Sequence, residues 1–405
     1  GMTTTSGGNI SMRDSGNRIW ITPAAVDKGA LGADDVVCVH PDGTCEGRHK
    51  PSSELPFHRA IYDARPDLNA IVHAHPSALV SFSIVRKAPD LNAVPQAKAV
   101  CGAVGYAAYA CPGTEALGQR IAGDFRNGHD CVLMENHGAV VGGPDLEDAF
   151  VRFETFEFAA RTLVNAGILG EPVSLSDNQL AAFETRVPGD LPEMDGVDHP
   201  AEERSRRGDI ARMLLRSRRQ GMMISSYGSM SVRWRGNDFL ITPRDIARDG
   251  IGSGDIVQIR NGRREPGRFP SRAVSVHQRI YELNPHVNSI ISTQPPHLMA
   301  FAVVRQKIDV RTIPESWIFL QDIPSIAFGR QYDDRDGTAR MFSPDRPAVL
   351  IENDGVIVTG NGLLQTFDRL EVAEFSARSL IMSRSLGAMV PISQGQVDEL
   401  RKTCL

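Results

Sequence analysis

The chain repeats itself. RPDLNAIVHAHPSALVSFSIVR, residues 65–86, aligns without a gap on NPHVNSIISTQPPHLMAFAVVR, residues 284–305, with the apolar positions held and the polar ones changed. In the same order and at nearly the same separations, NISMR matches SMSVR, IWITP matches FLITP, KPSSELPFHRAIY matches FPSRAVSVHQRIY, VLMENHGAVVGG matches VLIENDGVIVTG and EFAARTL matches EFSARSL. A period of roughly two hundred residues is far too long for a solenoid and implies a duplicated globular domain. The 405 residues, 41% of them hydrophobic, suffice for two ordinary cores.

The division falls in VPGDLPEMDGVDHP, where prolines, glycines and acidic residues break any regular period. The expected organisation is a first domain at 2–186, a linker at 187–200 and a second domain at 201–405. The second copy is expected to open with a helix from about Asp209 to Gln220, whereas the first enters the equivalent segment, TTTSGGNISMR, almost at once. Within each copy, β-rich runs such as DDVVCVH, AIVHAH and CVLME alternate with helical stretches, so the fold class is α/β, a sheet covered by helices. Ser52 or Ser53 reads as the N-cap of a helix carrying Leu55, His58, Ile61 and Tyr62 at helical spacing, with Glu54 in its first turn.

The 44 Lys and Arg against 49 Asp and Glu give a net charge of -5, without the concentrated basic surface that nucleic acid or an anionic membrane demands. The basic run Arg204–Arg219 reads as an amphipathic helix, Ile210, Met213 and Leu214 inward and a solvated basic face outward. Six cysteines without paired CxxC spacing are read as core thiols in a reducing cytoplasm. No apolar run reaches the roughly 20 residues of a spanning helix, and GMTTTSGGN lacks the basic and apolar regions of a secretory signal. GIGSGD, residues 250–255, is a turn before a strand rather than a phosphate loop, and no nucleotide or flavin cofactor is indicated.

His73 and His75 occupy i and i+2 of a strand, and side chains alternate across a strand, so both imidazoles leave one face. His137, in the turn after the strand Cys131–Met134, supplies a third nitrogen. Three protein ligands with one open position are the pattern of a catalytic zinc; cobalt, nickel, manganese and iron are the alternatives. Such a metal polarises a carbonyl or stabilises an enediolate oxygen and needs a proton carrier nearby, for which Glu54 is the candidate. The duplication is an internal control. His58, Asn69, Pro76 and Asn136 recur as His277, Asn288, Pro295 and Asn353, as architecture would require, while Glu54, His73, His75 and His137 become Ala273, Ser292, Gln294 and Asp354.

PSSE, VHAHP and ENHG, preceded by GGNIS and ITP, resemble the class II aldolase/adducin family over both copies. The resemblance implies an α/β/α three-layer domain with a mainly antiparallel central sheet in each half. It also implies zinc on His73, His75 and His137, and Glu54 as acid/base. Its phosphate pocket would map to Gly8, Asn9, Ser52 and Ser53. Several of its sugar-phosphate enzymes form fourfold rings, which a tandem chain would fill as a dimer, so a homo-oligomer, dimer or tetramer, is expected.

Two departures stand out. After Ile21, Thr22 and Pro23 come Ala24 and Ala25, where phosphate-binding members carry Thr or Ser followed by Gly. Ala99 stands near where some aldolases supply a tyrosine, with Tyr106 and Tyr109 out of register. The expected activity is metal-dependent carbon–carbon cleavage of a small hydroxylated carbonyl or sugar-derived compound through a zinc-stabilised enediolate. Epimerase and decarboxylase chemistry are open at the same metal site, and a non-enzymatic, adducin-like interaction module is the competing class. The second copy is expected to complete an active-site wall or an oligomer interface.

Overall fold

The computed structural model describes residues 2–185 and 191–404. It divides into two compact units, residues 1–161 and 162–405. Each holds an eight-stranded sheet of the same topology.

In the first unit the strands are β1 (Asn9–Arg13), β2 (Ile19–Ile21), β3 (Val37–Val39), β4 (Cys45–Glu46), β5 (Ala70–Ala74), β6 (Val104–Ala107), β7 (Cys131–Met134) and β8 (Gly138–Gly143). They lie in the order β4-β3-β2-β1-β5-β8-β7-β6. Every pairing is antiparallel except β6 with β7, as expected for a mainly antiparallel sheet. The helices are α1 (Leu55–Ala64), α2 (Ser77–Ile84), α3 (Pro95–Cys101), α4 (Glu115–Arg126) and α5 (Leu146–Leu169), and the division between units falls within α5. Alternation along the strands sends Ile19, Ile21, Val37, Val39, Ile71, Val132 and Val140 to one face, where Phe57 and Ile61 of α1 and Leu117, Ile121 and Phe125 of α4 close a core. Val72, Leu133, Ala139 and Val141 face the other way and are buried too, with α2 against β7 and β8, so the sheet is a middle layer.

After α6 (Asp177–Thr185) and α7 (Ala201–Arg219), the second unit repeats the sheet. Its strands are β9 (Ser229–Arg233), β10 (Phe239–Ile241), β11 (Val257–Arg260), β12 (Arg263–Arg264), β13 (Ser289–Thr293), β14 (Ser325–Ile326), β15 (Ala348–Ile351) and β16 (Gly355–Gly360). Their order is β12-β11-β10-β9-β13-β16-β15-β14. The helices are α8 (Val274–Leu283), α9 (Pro296–Val304), α10 (Pro314–Leu320), α11 (Arg330–Asp333), α12 (Arg335–Ala339), α13 (Leu363–Ser383) and α14 (Gln394–Cys404). One device recurs in both units. Glu157 of α5 accepts from Ala78 N and Leu79 N at the start of α2, and Glu374 of α13 accepts from His297 N and Leu298 N at the start of α9.

Three expectations change. The helix α7 starts at Ala201, eight residues before Asp209, because the acidic pair Glu202 and Glu203 in its first turn complements the helix dipole ahead of the apolar stripe. Its basic face is not wholly solvated: Arg207 is buried, donating from Nε to Glu203 (2.7 Å) and from Nη2 to Glu265 (2.8 Å). Only Cys38, Cys101 and Cys131 are core thiols; Cys45, Cys111 and Cys404 are exposed, and all six are free.

Residues 187–190 of the expected linker lie outside the described residues. Further along it, Glu193 bridges Arg264 and Met194 is buried. Gly252, Ser253, Gly254 and Asp255 form a 3-10 turn leading into β11, as the sequence suggests. Among the described residues, no helix is long and apolar enough to cross a membrane.

Candidate metal centre

Three elements meet at the carboxyl end of β5. His73 is its fourth residue, paired with Asn9 on β1 and Val140 on β8, and His75 follows the strand directly. His137 closes the 135–137 turn between β7 and β8, which depends on Asn136 at φ 53°, a left-handed conformation that asparagine tolerates. Gly138 begins β8 because a Cβ there would lie 2.6 Å from Ala74 O and 2.8 Å from His75 Cδ2. The three imidazole centroids stand 4.6, 5.0 and 5.1 Å apart, and one ligand nitrogen from each lies within 4.8 Å of the others.

Glu54 arrives from the opposite side. It is the N-cap residue of α1 rather than part of its first turn, and its side chain does not cap the helix. Ser52 Oγ accepts from Glu54 N instead (3.3 Å), which frees the carboxylate. Its Oε2 is 3.2 Å from His73 Nε2 and its Oε1 3.2 Å from His137 Nε2. Burial opposes ionisation of Glu54, but its contacts with His137 and His73 outweigh that and hold the carboxyl well below the usual range. His75, half-buried with two imidazoles for neighbours, has its pKa lowered to about 4, first by burial and then by their charge.

These donors suit a metal ion. His73 Nδ1 lies 2.9 Å from Ala139 O, and a carbonyl can only accept, so Nδ1 carries the proton. In the neutral ring Nε2 then turns a lone pair toward Glu54 Oε2, and only a cation between them, a proton or a metal, relieves the conflict. His73 Nε2, His75 Nε2 and His137 Nδ1 are all buried without an aligned hydrogen-bond partner. An imidazole fixed through one nitrogen by a carbonyl, with the other facing a shared centre, is the usual arrangement of a metal-binding histidine.

A buried chain of hydrogen bonds runs behind Glu54. Tyr62 OH, Ser11 Oγ and His58 Nδ1 are linked at 2.8 and 2.7 Å, His58 Nε2 meets Asn9 Oδ1 at 2.5 Å, and Asn9 Nδ2 donates to Glu54 Oε2 at 2.7 Å. With neutral His58 protonated on Nε2, every link has a donor and an acceptor; burial, the larger cause, and the charge of His73 lower the pKa of this imidazole to about 3. Sequence reasoning assigned Asn9 to phosphate binding and left His58 to architecture. The structure ties both to Glu54, where the start of α1 packs against Asn9 on β1.

Of the other residues expected to bind substrate, Gly8 lies against His73, where a Cβ would stand 2.7 Å from the backbone carbonyl, and its φ is +68°. Ser52 is buried beside Glu54, and Ser53 is exposed in the same turn. Ala25, where glycine was expected, adopts φ 55°, and its counterpart Asp245 adopts φ 58°, so the left-handed turn persists without glycine. Ala99 lies on α3, whereas Tyr109 is exposed on the segment following β6, its N donating to Glu135 of the 135–137 turn.

The corresponding place in the second unit is internally satisfied. His277 Nε2 meets Ser292 Oγ at 2.8 Å, Asp354 Oδ2 accepts from Gln331 at 2.5 Å, and Ala273 holds the N-cap position of α8 that Glu54 holds on α1. Among the described residues, no cluster of three His, Cys, Asp or Glu donors close enough for one ion falls in the second unit.

Comparison with known proteins gives one family. The model of the class II aldolase and adducin N-terminal domain matches residues 1–164 and again 208–381. An L-fuculose phosphate aldolase of Methanococcus maripaludis is 36% identical over 156 residues, 38% of this chain and 83% of that protein. A 5-deoxy-D-ribulose 1-phosphate aldolase of Bacillus thuringiensis is 34% identical over 193 residues, 47% of this chain and 89% of its own length. A 3-oxo-tetronate 4-phosphate decarboxylase of Haemophilus influenzae is 30% identical over 191 residues, 46% of this chain and 90% of its own length. With one sheet topology in both units and one family model matching twice, the chain belongs to the class II aldolase and adducin N-terminal domain family.

Proposed function

We propose that the first copy is a metal-dependent carbon–carbon lyase acting on a small hydroxylated carbonyl compound of the sugar or sugar-phosphate class. The observation that carries this reading is the convergence of Glu54 with His73, His75 and His137, one nitrogen of each imidazole within 4.8 Å of the others and the carboxylate 3.2 Å from two of the rings. These three histidines would hold a divalent ion, and three imidazole donors favour zinc. Bound there, it supplies Lewis acidity to a carbonyl or enediolate oxygen.

The chain's own groups do the rest. Glu54, kept ionised by its histidine neighbours, takes a proton from substrate and returns it. Asn9 fixes the rotamer of Glu54 through Nδ2, and His58, Ser11 and Tyr62 fix Asn9. Gly8 and the Ser52–Ser53 turn offer backbone and hydroxyl donors at the same mouth, which suits a phosphate or a substrate hydroxyl. Decarboxylation is the second reading, favoured by the Haemophilus influenzae relative and by the carbanion-like intermediate that both reactions share. The reading includes a homo-oligomer, dimer or tetramer, in the cytoplasm, where exposed Cys45, Cys111 and Cys404 would stay reduced.

The test begins with metal content of the purified chain beside His73→Ala/His75→Ala. Ketose 1-phosphates, their unphosphorylated forms and 3-oxo acid phosphates then follow, with aldehyde and carbon dioxide as separate readouts. Glu54→Gln should retain metal and lose roughly 10²–10⁴-fold in turnover. A wild-type chain that takes no metal at these histidines, or that holds metal and turns over none of these compounds, would leave the non-enzymatic interaction module as the better account.

A further inference from the structure

The β3–β4 hairpin gathers a second donor set. Cys38 and His40 are two residues apart and leave one face of the sheet, and Glu46 on β4 lies directly opposite Cys38. One donor atom from each, thiol, imidazole nitrogen and carboxylate oxygen, lies within 4.8 Å of the other two. His40 Nε2 is buried with no hydrogen-bond partner, 3.1 Å from Glu46 Oε1. The turn between them is stiff: His40 N donates to Thr44 O, Gly43 N to His40 O, and Thr44 N and Oγ1 both to Asp42 Oδ1.

The second unit shows what this place in the fold requires. Glu265 lies opposite Gln258 as Glu46 lies opposite Cys38, its N donating to Gln258 O. Its carboxylate meets a cation, Arg207 of α7, at 2.8 Å. Position 40 has become Arg260, and Gln258 Nε2 reaches Glu203 of the same helix. In the first copy a thiol and an imidazole stand beside the retained glutamate.

We propose that Cys38, His40 and Glu46 form a second metal site, selective for zinc or another thiophilic divalent ion. The ion neutralises Glu46 as Arg207 neutralises Glu265, and it ties β4 to β3. Sulfur and imidazole donors disfavour magnesium and calcium. Three protein ligands, with the Glu46 side chain 73% exposed, leave a coordination position toward solvent, so the ion is exchangeable rather than enclosed. On binding, the Cys38 S–H bond breaks, a sulfur–metal bond forms and the proton leaves to solvent. Protons compete with the ion for the thiolate, so occupancy falls as the solution is acidified.

Cobalt(II) separates this site from the three-histidine centre, because only a thiolate gives a sulfur-to-cobalt charge-transfer band in the near ultraviolet. The full chain, stripped with a chelator and titrated with cobalt, should develop that band and approach about two metals per chain. Cys38→Ser should abolish the band and remove about one equivalent, and Cys45→Ser should leave both unchanged. Glu46→Gln, at an exposed position, should keep a weakened band and lower cobalt affinity about tenfold or more. The band should survive His73→Ala/His75→Ala, so loss of the proposed lyase reading would not remove it. No band at saturating cobalt, a band lost with Cys45→Ser instead, or affinity unchanged in Glu46→Gln would overturn the proposal.

Discussion

Asn9 commits both ends of its amide to protein groups, Nδ2 to Glu54 and Oδ1 to His58, and both partners are buried. Asn9→Ala therefore strands a carboxylate and an imidazole N–H away from water, at a cost of about 1–3 kcal/mol for a group left unsatisfied. Urea denaturation should register that loss, and an unchanged midpoint would mean that water replaces the amide. The second copy allows a cleaner pH experiment. His277 is fully buried, bonded to Ser231 and Ser292, and burial lowers its pKa to about 3. Between the ordinary value of 6.5 and that value the unfolded chain binds a proton that the folded chain refuses. Its stabilising contribution is present above pH 6.5 and is lost as pH falls, at up to about 1.4 kcal/mol per unit. Wild-type stability relative to His277→Gln should fall from pH 7 to pH 5; a constant difference would show that His277 titrates alike in both states. The HxH and NHG histidines were legible because strand alternation and a β-turn dictate where such side chains point. The Asn9–Glu54 tie was not, since 45 residues separate the partners and only the packing of α1 against the sheet joins them.

β-rich composition and the internal repeat made the elements themselves readable, and β3, β5 and β7 fall within the β-rich runs. Where the reading fell short, long-range charge decided the outcome. The helix α7 looks amphipathic with a solvated basic face, yet Arg207 lies between Glu203 and Glu265, the latter 58 residues away on the far side of β12 in sequence. Buried ion pairs of this kind are costly to break because one partner's loss strands the other's charge. Arg207→Ala should destabilise the second unit by about 3–5 kcal/mol. Arg206→Ala, one residue earlier with its partner Glu202 65% exposed, should change stability by less than about 1 kcal/mol. Similar denaturation midpoints for the two variants would mean that water enters around Glu265. Cys45 and Cys111 misled for a related reason: an apolar residue type in a β-rich or loop run does not reveal whether a hairpin turns it outward.

At the scale of the molecule, duplication has preserved one architecture and divided the chemistry. Both sheets keep the same strand order, the Tyr–Ser–His core network recurs as Tyr62–Ser11–His58 and Tyr281–Ser231–His277, and a carboxylate caps the equivalent helix in each unit. What differs is the far end of that network. In the first copy it continues through Asn9 to Glu54 and the three histidines; in the second it stops at Ser229 and Ser292, whose hydroxyls satisfy His277 locally. Stabilisation by a bound metal should follow the same division. An ion at one hundred times its dissociation constant adds about 2.7 kcal/mol to whatever opens with its site, and nothing to regions whose opening leaves the ligands in place. Hydrogen exchange followed by mass spectrometry on the intact chain, with and without a chelator, should therefore show faster exchange in β1, β5 and β8 on metal removal. The strands β9, β13 and β16 should be unaffected. Equal acceleration in both sets would mean that the two copies open as one cooperative unit, and the second copy would then be part of what holds the metal centre in shape.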